Sequence, residues 1–235
     1  MSHTSTHRVS EYRGGDFETA VLRATVNLVL DRGVQSVRSA DVAERASTTE
    51  SRLFRQFGNL PSVVAQSFDW CWREVNRSLA DASFSASTFE PQAALMLDLL
   101  TVLELRRDPD SFETTVGAFL YFRRPEQITA CLGSPPPNQV RYQARLEAQC
   151  AAYLDIHSEH LKSDSSAAKA LALRLMNYSA TAFLTWFLMP TGSDDMLDER
   201  HDLSVDEVLF GAHELMSRFL RFNDREGADL AQSDG

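Results

Sequence analysis

The sequence predicts an all-α fold, and three observations support this prediction. Apolar residues recur along most of the chain at the i, i+3, i+4 spacing of one helix face. No segment keeps the alternation of apolar and polar residues that marks a half-buried strand. Glycine or proline interrupts the helical pattern between the stronger segments. With 235 residues, 43% of them hydrophobic, the chain can bury a substantial core in one or two domains.

The first predicted helix begins at Asp16, which can serve as its N-cap, and ends at Gly33, which tolerates a left-handed backbone. Two short helices follow at about 39–46 and 49–56, joined by a tight break. The second of them carries arginines on a face that would otherwise be ordinary surface. This layout is typical of a helix-turn-helix, which places its second helix in the major groove of DNA.

Longer helices are predicted for the rest of the chain. Asn59 offers a cap, and Pro61 the first position, for a helix that runs to about Asp81. The further helices are predicted at about 91–105, 109–121, 138–161, 166–189 and 204–222. The arm 1–15 and the tail 223–235 are predicted to be disordered.

The N-terminal 65 residues resemble the TetR family of one-component transcriptional regulators. An amphipathic first helix, a short second helix, a tight turn and a third helix that ends on a leucine–aromatic pair and a phenylalanine follow the family order. The residues that carry the resemblance are Gly33, Val42, Ala43, Ala46, Ser47, Thr48, Thr49, Leu53, Phe54 and Phe57. Beyond them the chain matches the family only in helix number and rough length.

The resemblance implies a helix-turn-helix DNA-binding domain at 16–60 and an effector-binding and dimerisation domain at 61–222. The expected protein is a cytoplasmic homodimer that binds a double-stranded DNA operator. The resemblance further implies a repressor that a small lipophilic or aromatic effector releases from its operator. Such a protein is not an enzyme and needs no cofactor.

Candidate DNA-contacting residues cluster around the third helix. A threonine hydroxyl at the start of that helix can cap it and also meet a phosphate. An arginine can read guanine in the major groove, and a glutamate can accept a hydrogen bond from cytosine. The predicted DNA-binding residues are Arg38, Thr48, Thr49, Glu50, Arg52, Phe54 and Arg55.

Several positions depart from the family pattern. Ser51 stands where glycine is common near the DNA backbone. Ser47 replaces the usual glycine of the turn, where a positive φ would strain a residue with a side chain. Phe54 replaces a tyrosine, and Leu60 replaces a lysine, so two phosphate contacts are lost. An alternative therefore stays open: a degenerate regulator that has lost operator binding and acts by binding a ligand or a protein.

The charge of the chain is unevenly distributed. The net charge is −10, yet residues 1–65 hold eight arginines and seven acidic residues, while residues 190–235 hold twelve acidic residues and four arginines. The predicted DNA-binding end is thus about neutral overall. A local arginine patch there can still bind phosphates, although long-range attraction to DNA should be weak.

An aromatic pocket is predicted among the later helices. The chain contains 14 Phe, 5 Tyr and 3 Trp, and many of them fall between residues 68 and 187. A mixed aromatic pocket would suit a lipophilic or aromatic ligand, but the same rings could instead fill a solid core. The predicted ligand-binding residues are Phe68, Trp72, Met96, Leu100, Phe119, Tyr153, Tyr178 and Phe183, with Phe112 as a further candidate.

The last two predicted helices carry apolar residues over more than one face, so they need burial on two sides. In the resembled family these helices form a two-fold dimer interface. The predicted interface residues are Leu175, Ala182, Trp186, Leu209, His213, Met216, Phe219 and Leu220.

Other chemistry is sparse. The sequence contains no nucleophile–base constellation, which weakens the alternative of a small helical enzyme, and no metal-ligand spacing. No apolar run reaches 18 residues, so no membrane span is expected. Cys71, Cys131 and Cys150 are widely spaced and are expected to be reduced thiols in the cytoplasm.

Overall fold

The computed structural model describes residues 14–83, 90–107, 109–123, 134–162, 164–188 and 204–233. All regular structure within these ranges is helical, which confirms the predicted fold class. Short 3-10 turns at Val34–Ser36 and Leu105–Arg107 accompany the α-helices. The helices are α1 (Gly14–Arg32), α2 (Ser39–Arg45), α3 (Glu50–Phe57), α4 (Leu60–Ser83), α5 (Pro91–Glu104), α6 (Pro109–Arg123), α7 (Pro137–His157), α8 (Ser165–Leu188) and α9 (Val205–Ser233).

Several helix boundaries differ from the sequence prediction. Helix α1 already begins at Gly14, so Asp16 lies inside the helix and is not its N-cap. Helix α7 begins at Pro137 and has Pro136 as its N-cap, so Asn138 lies inside the helix and is not the cap. Helix α9 continues to Ser233, beyond its predicted end at about residue 222. The predicted disorder of the tail 223–235 stays a prediction. Residues 14 and 15 of the arm predicted at 1–15 belong to α1, while residues 1–13 and Cys131 lie outside the described residues.

Capping chemistry explains where several helices start. Asn59 caps α4 as predicted, since its Oδ1 accepts a hydrogen bond from the backbone N–H of Ser62 at 2.9 Å. Ser204 and Glu207 form a capping box at the start of α9. Ser204 Oγ accepts from the N–H of Glu207 at 3.1 Å, and Glu207 Oε2 accepts from the N–H of Ser204 at 2.7 Å.

The chain divides into two compact units, one up to Ser67 and one from Phe68. The division falls within α4, later than the predicted domain boundary after residue 60. The core of the first unit is formed by apolar residues of α1, α2 and α3 that are almost completely buried. These include Val21, Leu22, Val26, Leu28, Val42, Leu53 and Phe57.

The core of the second unit is built around aromatic rings. Trp72 of α4 meets Phe119 of α6 edge to face, with ring centroids 5.6 Å apart. Phe119 in turn lies 5.9 Å from Phe183 of α8, and Tyr142 of α7 lies 5.0 Å from Trp72. Edge-to-face and tilted pairs at these distances are favourable aromatic arrangements. The rings therefore join four helices into one apolar core.

Polar contacts attach the start and the middle of α7 to different neighbours. Near its start, Asp69 of α4 accepts hydrogen bonds from the backbone and side chain of Asn138 at 2.8 and 2.7 Å. Further along, Arg145 forms a bidentate ion pair with Asp98 of α5, at 2.7 and 3.1 Å, and Gln149 donates to the same carboxylate at 2.8 Å. Burial raises the pKa of Asp98, and Arg145 opposes that rise.

Helices α8 and α9 are joined by a close contact. The Tyr178 hydroxyl donates a hydrogen bond to the carbonyl of Val208 at 3.0 Å, and the guanidinium of Arg174 lies 5.1 Å from the ring centre of Phe219. Gly211 makes the approach of Tyr178 possible. A Cβ at this position would overlap the tyrosine hydroxyl and lie 2.9 Å from ring carbon Cζ.

Replacing Gly211 with alanine should destabilise the protein by about 1–3 kcal/mol, because the added methyl group overpacks the α8–α9 contact. The free energy of unfolding in urea measures this effect. In a Tyr178→Ala background the same substitution should be neutral or stabilising, since alanine favours a helix interior over glycine by about 1 kcal/mol. Equal destabilisation in both backgrounds would contradict the packing explanation.

Candidate functional site

The turn between α2 and α3 keeps a left-handed residue although it lacks glycine. Ser47 has φ +51°, the positive value that the sequence comparison with the family implied. Backbone hydrogen bonds hold this conformation: the N–H of Ser47 bonds to the carbonyl of Glu44 at 3.0 Å, and that of Thr48 to Ala43 at 2.8 Å. The turn geometry therefore survives the loss of glycine, at the energetic expense of a strained serine.

Thr49, and not Thr48, caps α3. Its backbone is extended, and its hydroxyl oxygen accepts a hydrogen bond from the N–H of Arg52 at 3.3 Å. The hydroxyl of Thr48 is instead buried, with no hydrogen-bond partner among the described residues. A phosphate contact from Thr48 would thus require its side chain to move, whereas Thr49 stands exposed at the helix N-terminus.

The burial pattern of α3 fixes which of its side chains face solvent. Leu53 and Phe57, four residues apart, are buried on one side of the helix. Ser51 and Arg55 lie on the opposite side and are exposed. Phe54 flanks this face and is 37% exposed, an unusually open position for a phenylalanine. The exposed face of α3 is thus centred on Arg55.

The two predicted base-reading residues lie against the body of the first unit. The guanidinium of Arg52 sits 4.0 Å from the ring centre of Phe17 in α1, a cation–π contact. Glu50 accepts a hydrogen bond from the hydroxyl of Ser39 at the start of α2. A cavity of about 390 Å³ lies beside Arg52, and it is lined by Phe17, Glu18, Arg52, Arg55 and Gln56.

Other arginines of the first unit differ in their surroundings. Arg38 is exposed at the N-cap position of α2. Arg45 forms an ion pair with Asp31 at 2.9 Å, and Arg32 pairs with Asp41 at 3.4 Å. Both pairs tie α2 to α1, so Arg45 and Arg32 already have carboxylate partners on the protein surface.

The structure places most of the predicted ligand-binding residues in the core of the second unit. Four of them are at most 1% exposed, namely Phe68, Trp72, Phe119 and Phe183. The ring of Tyr153 makes a tilted contact with that of His157, with centroids 4.5 Å apart, and Tyr178 contacts α9 as described above. The side chain of Phe112 lies outside the described residues. The role of these residues in binding a ligand stays a prediction.

A groove of about 580 Å³ runs between α5 and α9. We call it the α5–α9 groove, and it is lined by Glu90, Gln92, Ala93, Met96, Leu97, Leu100 and Leu209. Met96 and Leu100 belong to the predicted ligand-binding set, and Leu209 to the predicted dimer set. The sequence analysis missed Ala93 and Leu97. Their signal was a second apolar stripe on α5, beside the stripe whose Leu95, Leu99 and Val102 are buried.

The predicted dimer residues fall into two groups. Four are buried within the single chain and so expose little surface to a partner: Leu175, Ala182, Met216 and Phe219. His213 is exposed, and Leu209 and Leu220 are half-buried, while the side chain of Trp186 lies outside the described residues. Two apolar side chains that were not predicted, Leu173 of α8 and Phe210 of α9, are exposed by 46% and 70%.

The second unit also contains buried polar atoms that no described residue satisfies. They are Nε1 of Trp72 and the amide oxygens of Gln139 and Gln149. The thiols of Cys71 and Cys150 are buried and free. Burial raises the pKa of Cys150 to about 12 and raises that of Cys71 as well, so both thiols are protonated at neutral pH and are weak nucleophiles.

The described residues contain neither a metal-binding cluster nor a membrane-spanning helix. No group of three or more histidine, cysteine, aspartate or glutamate side chains among them is arranged to hold a metal ion. No helix that the structure describes is both long and apolar enough to span a bilayer.

Solved structures with a similar fold are transcriptional regulators. A TetR-like regulator from Rhodococcus sp. RHA1 is 13% identical, with 90% of this chain and 99% of that chain covered and a TM-score of 0.60. The fatty acid degradation regulator FadR from Bacillus halodurans is 11% identical, with 89% of this chain and 97% of that chain covered and a TM-score of 0.56. The TetR-family regulator PfmR from Thermus thermophilus is 16% identical, with 86% of this chain and 97% of that chain covered and a TM-score of 0.51.

No protein-family model matches the chain, and no curated protein matches it in sequence. The structure defines an all-α protein with an N-terminal helix-turn-helix and a larger helical C-terminal domain. Its fold is that of the TetR-family regulators, which confirms the resemblance at the level of fold. A structural match at such low sequence identity establishes the fold. It identifies neither a ligand nor a DNA sequence.

Replacing Ser47 with glycine should stabilise the protein by about 1 kcal/mol, because glycine adopts the left-handed backbone without strain. Thermal or urea unfolding measures the change. Ser51→Gly is the matched control: it places glycine inside α3 and should destabilise by about 0.5 kcal/mol. A destabilised Ser47→Gly protein would show that the positive φ carries no strain.

Proposed function

We propose that the protein is a homodimeric transcriptional regulator of the cytoplasm that binds a double-stranded DNA operator and responds to a small ligand. The presentation of α3 carries this proposal. Leu53 and Phe57 hold one side of the helix in the core, and Arg55 projects from the other. A helix presented in this way fits the major groove of B-DNA, which is about 12 Å wide.

The chemistry of the exposed residues supports binding to both phosphates and bases. Thr49 and Arg38 stand at the N-termini of α3 and α2, where hydroxyl and guanidinium groups can meet phosphate oxygens. Arg55 lies at the centre of the exposed face, so we assign it the first contact with the groove. Arg52 would have to leave the Phe17 ring to reach a guanine.

We propose that dimerisation uses the exposed sides of α8 and α9. Leu173 and Phe210 leave large apolar surfaces in water, which is unfavourable unless a partner covers them. His213 is exposed on α9, Leu209 and Leu220 are half-buried there, and all three belong to the same proposed interface. Two-fold pairing through these helices would present two copies of α3 to half-sites about 34 Å apart.

We propose that the protein is a repressor, released from DNA by a lipophilic or aromatic effector bound in the second unit. Helix α4 is continuous across the division between the units, and Asp69 attaches it to the start of α7. A ligand that displaces α7 would therefore pull on α4. Binding shifts the equilibrium only if the ligand prefers the state that cannot bind the operator.

Replacing Arg55 with alanine should lower the affinity for operator DNA about tenfold and reduce the salt dependence by about one counterion, because one contact to the DNA is lost. Replacing Arg52 should instead relax the base preference at one position. Gel shifts with DNA from upstream of the protein's own gene, across a salt series, measure both effects. The control is Arg77→Ala, which removes the same charge from an exposed position of the second unit. It should change neither the affinity for DNA nor the base preference.

Two outcomes of these gel shifts would contradict the proposal. Unchanged affinity in the Arg55 variant would remove α3 from the DNA interface. Absence of any sequence preference in the unmodified protein would favour the degenerate regulator, because Phe54 and Leu60 lack the polar groups that their counterparts in the family use on phosphates.

Replacing Phe210 with aspartate should convert the dimer to a monomer, since burying an unpaired carboxylate at the interface costs several kcal/mol. Sedimentation equilibrium measures the association. Ile156→Asp on α7 is the control, because Ile156 is 63% exposed and lies outside the proposed interface. A Phe210 variant that remains dimeric would place the interface elsewhere.

A further inference from the structure

We propose that the α5–α9 groove is a binding site for a small amphipathic cation, whose apolar body lies along α5 and whose positive group lies beside Glu90. The binding site is argued from the groove alone. Only the effect of the cation on DNA affinity rests on the proposed function.

The shape of the α5–α9 groove fits a single hydrocarbon chain or a compact ring system. Its volume of about 580 Å³ lies in the range of small-molecule sites, roughly 300–1,000 Å³. The lining residues from Glu90 to Leu100 span about 15 Å of α5 at 1.5 Å per residue. An extended chain of eight to ten carbons, together with its headgroup, fits within that length.

The walls of the groove are apolar and accessible. Met96, Leu97 and Leu100 of α5 are half-buried, as is Leu209 of α9 on the other side. Each of these side chains leaves apolar surface that a ligand would remove from water, at about 25 cal/mol per Å². Met96 is also flexible enough to adapt to different apolar shapes.

The polar end of the groove favours a positive group. Glu90 is the charged residue among the described residues that line the groove, and no arginine or lysine accompanies it there. The N-terminus of α5 contributes about half a positive charge, which the full negative charge of Glu90 outweighs. The net charge of −10 also attracts cations to the protein and repels anions. A carboxylate headgroup would therefore be disfavoured at this position.

Occupation of the groove would act on α9. Leu209 follows Val208, whose carbonyl accepts the hydrogen bond from Tyr178 of α8. A ligand that pushes against Leu209 would thus bear on the contact that sets the position of α9 relative to α8. Because these two helices carry the proposed dimer interface, the bound cation would change the spacing of the two copies of α3.

Titration calorimetry with three octyl compounds tests the site: octyltrimethylammonium, octanoate and octan-1-ol. The cation should bind about tenfold more tightly than octanoate, with the alcohol between them. Glu90→Gln should weaken binding of the cation about three- to fivefold, the effect of one exposed charge, and leave binding of octanol unchanged. Glu159→Gln alters the net charge equally at an exposed position outside the groove and should have no effect.

A second pair of variants tests the location. Ala93→Trp fills the groove from an exposed position and should abolish binding of the cation and the alcohol. Ala152→Trp, at an exposed alanine of α7, should leave binding intact. Circular dichroism checks that both variants keep their helical content.

Several results would overturn the proposal. Equal affinities for the three headgroups would exclude recognition by Glu90, and binding that survives Ala93→Trp would place the site elsewhere. Dissociation of the dimer by Ala93→Trp would show that a second copy of the chain occupies the groove. Cation binding that leaves operator affinity unchanged would refute the regulatory effect. Failure of the unmodified protein to bind DNA would refute the proposed function while the calorimetric result still decides the site.

Discussion

The orientation of α3 depends on the burial of Leu53 and Phe57, and the rest of the DNA-binding argument depends on that orientation. Both side chains insert into the core that α1 and α2 complete. Since they occupy one side of a two-turn helix, every other residue of α3 has its direction fixed by helical geometry. Arg55 is thereby directed outward, and Glu50 and Arg52 are directed toward α2 and α1. The apolar pair thus decides the chemistry of the exposed face without contacting a ligand.

The sequence predicted the fold class because helical periodicity and capping residues are local signals. Asn59 and Ser204 mark helix starts in the sequence and do so in the structure. The start of α7 could not be predicted in this way. Asn138 has the chemistry of a cap, but its side chain bonds to Asp69 of α4, a residue far away in sequence. Tertiary contact overrides local propensity there.

The candidate ligand site was harder to predict, because periodicity identifies an apolar face but not whether that face is filled. Trp72 and Phe119 were natural candidates for pocket walls, yet their rings pack against each other. Ala93 and Leu97 were overlooked because small and aliphatic residues resemble ordinary core. What distinguishes them is the space between α5 and α9, which depends on helix packing. The distance between two packed helices depends on contacts between residues far apart in sequence, so it cannot be predicted from the sequence of one chain.

The serine at the α2–α3 turn bears on how relatives of this protein can be detected. Its left-handed backbone is maintained by main-chain hydrogen bonds that any residue except proline could form. The turn therefore does not require glycine, and the penalty for a residue with a side chain is small beside the total stability of a folded domain. A search pattern that demands glycine at this point will pass over regulators whose turn is intact. Structural comparison detects such turns, because it matches the shape of the backbone and not the type of residue.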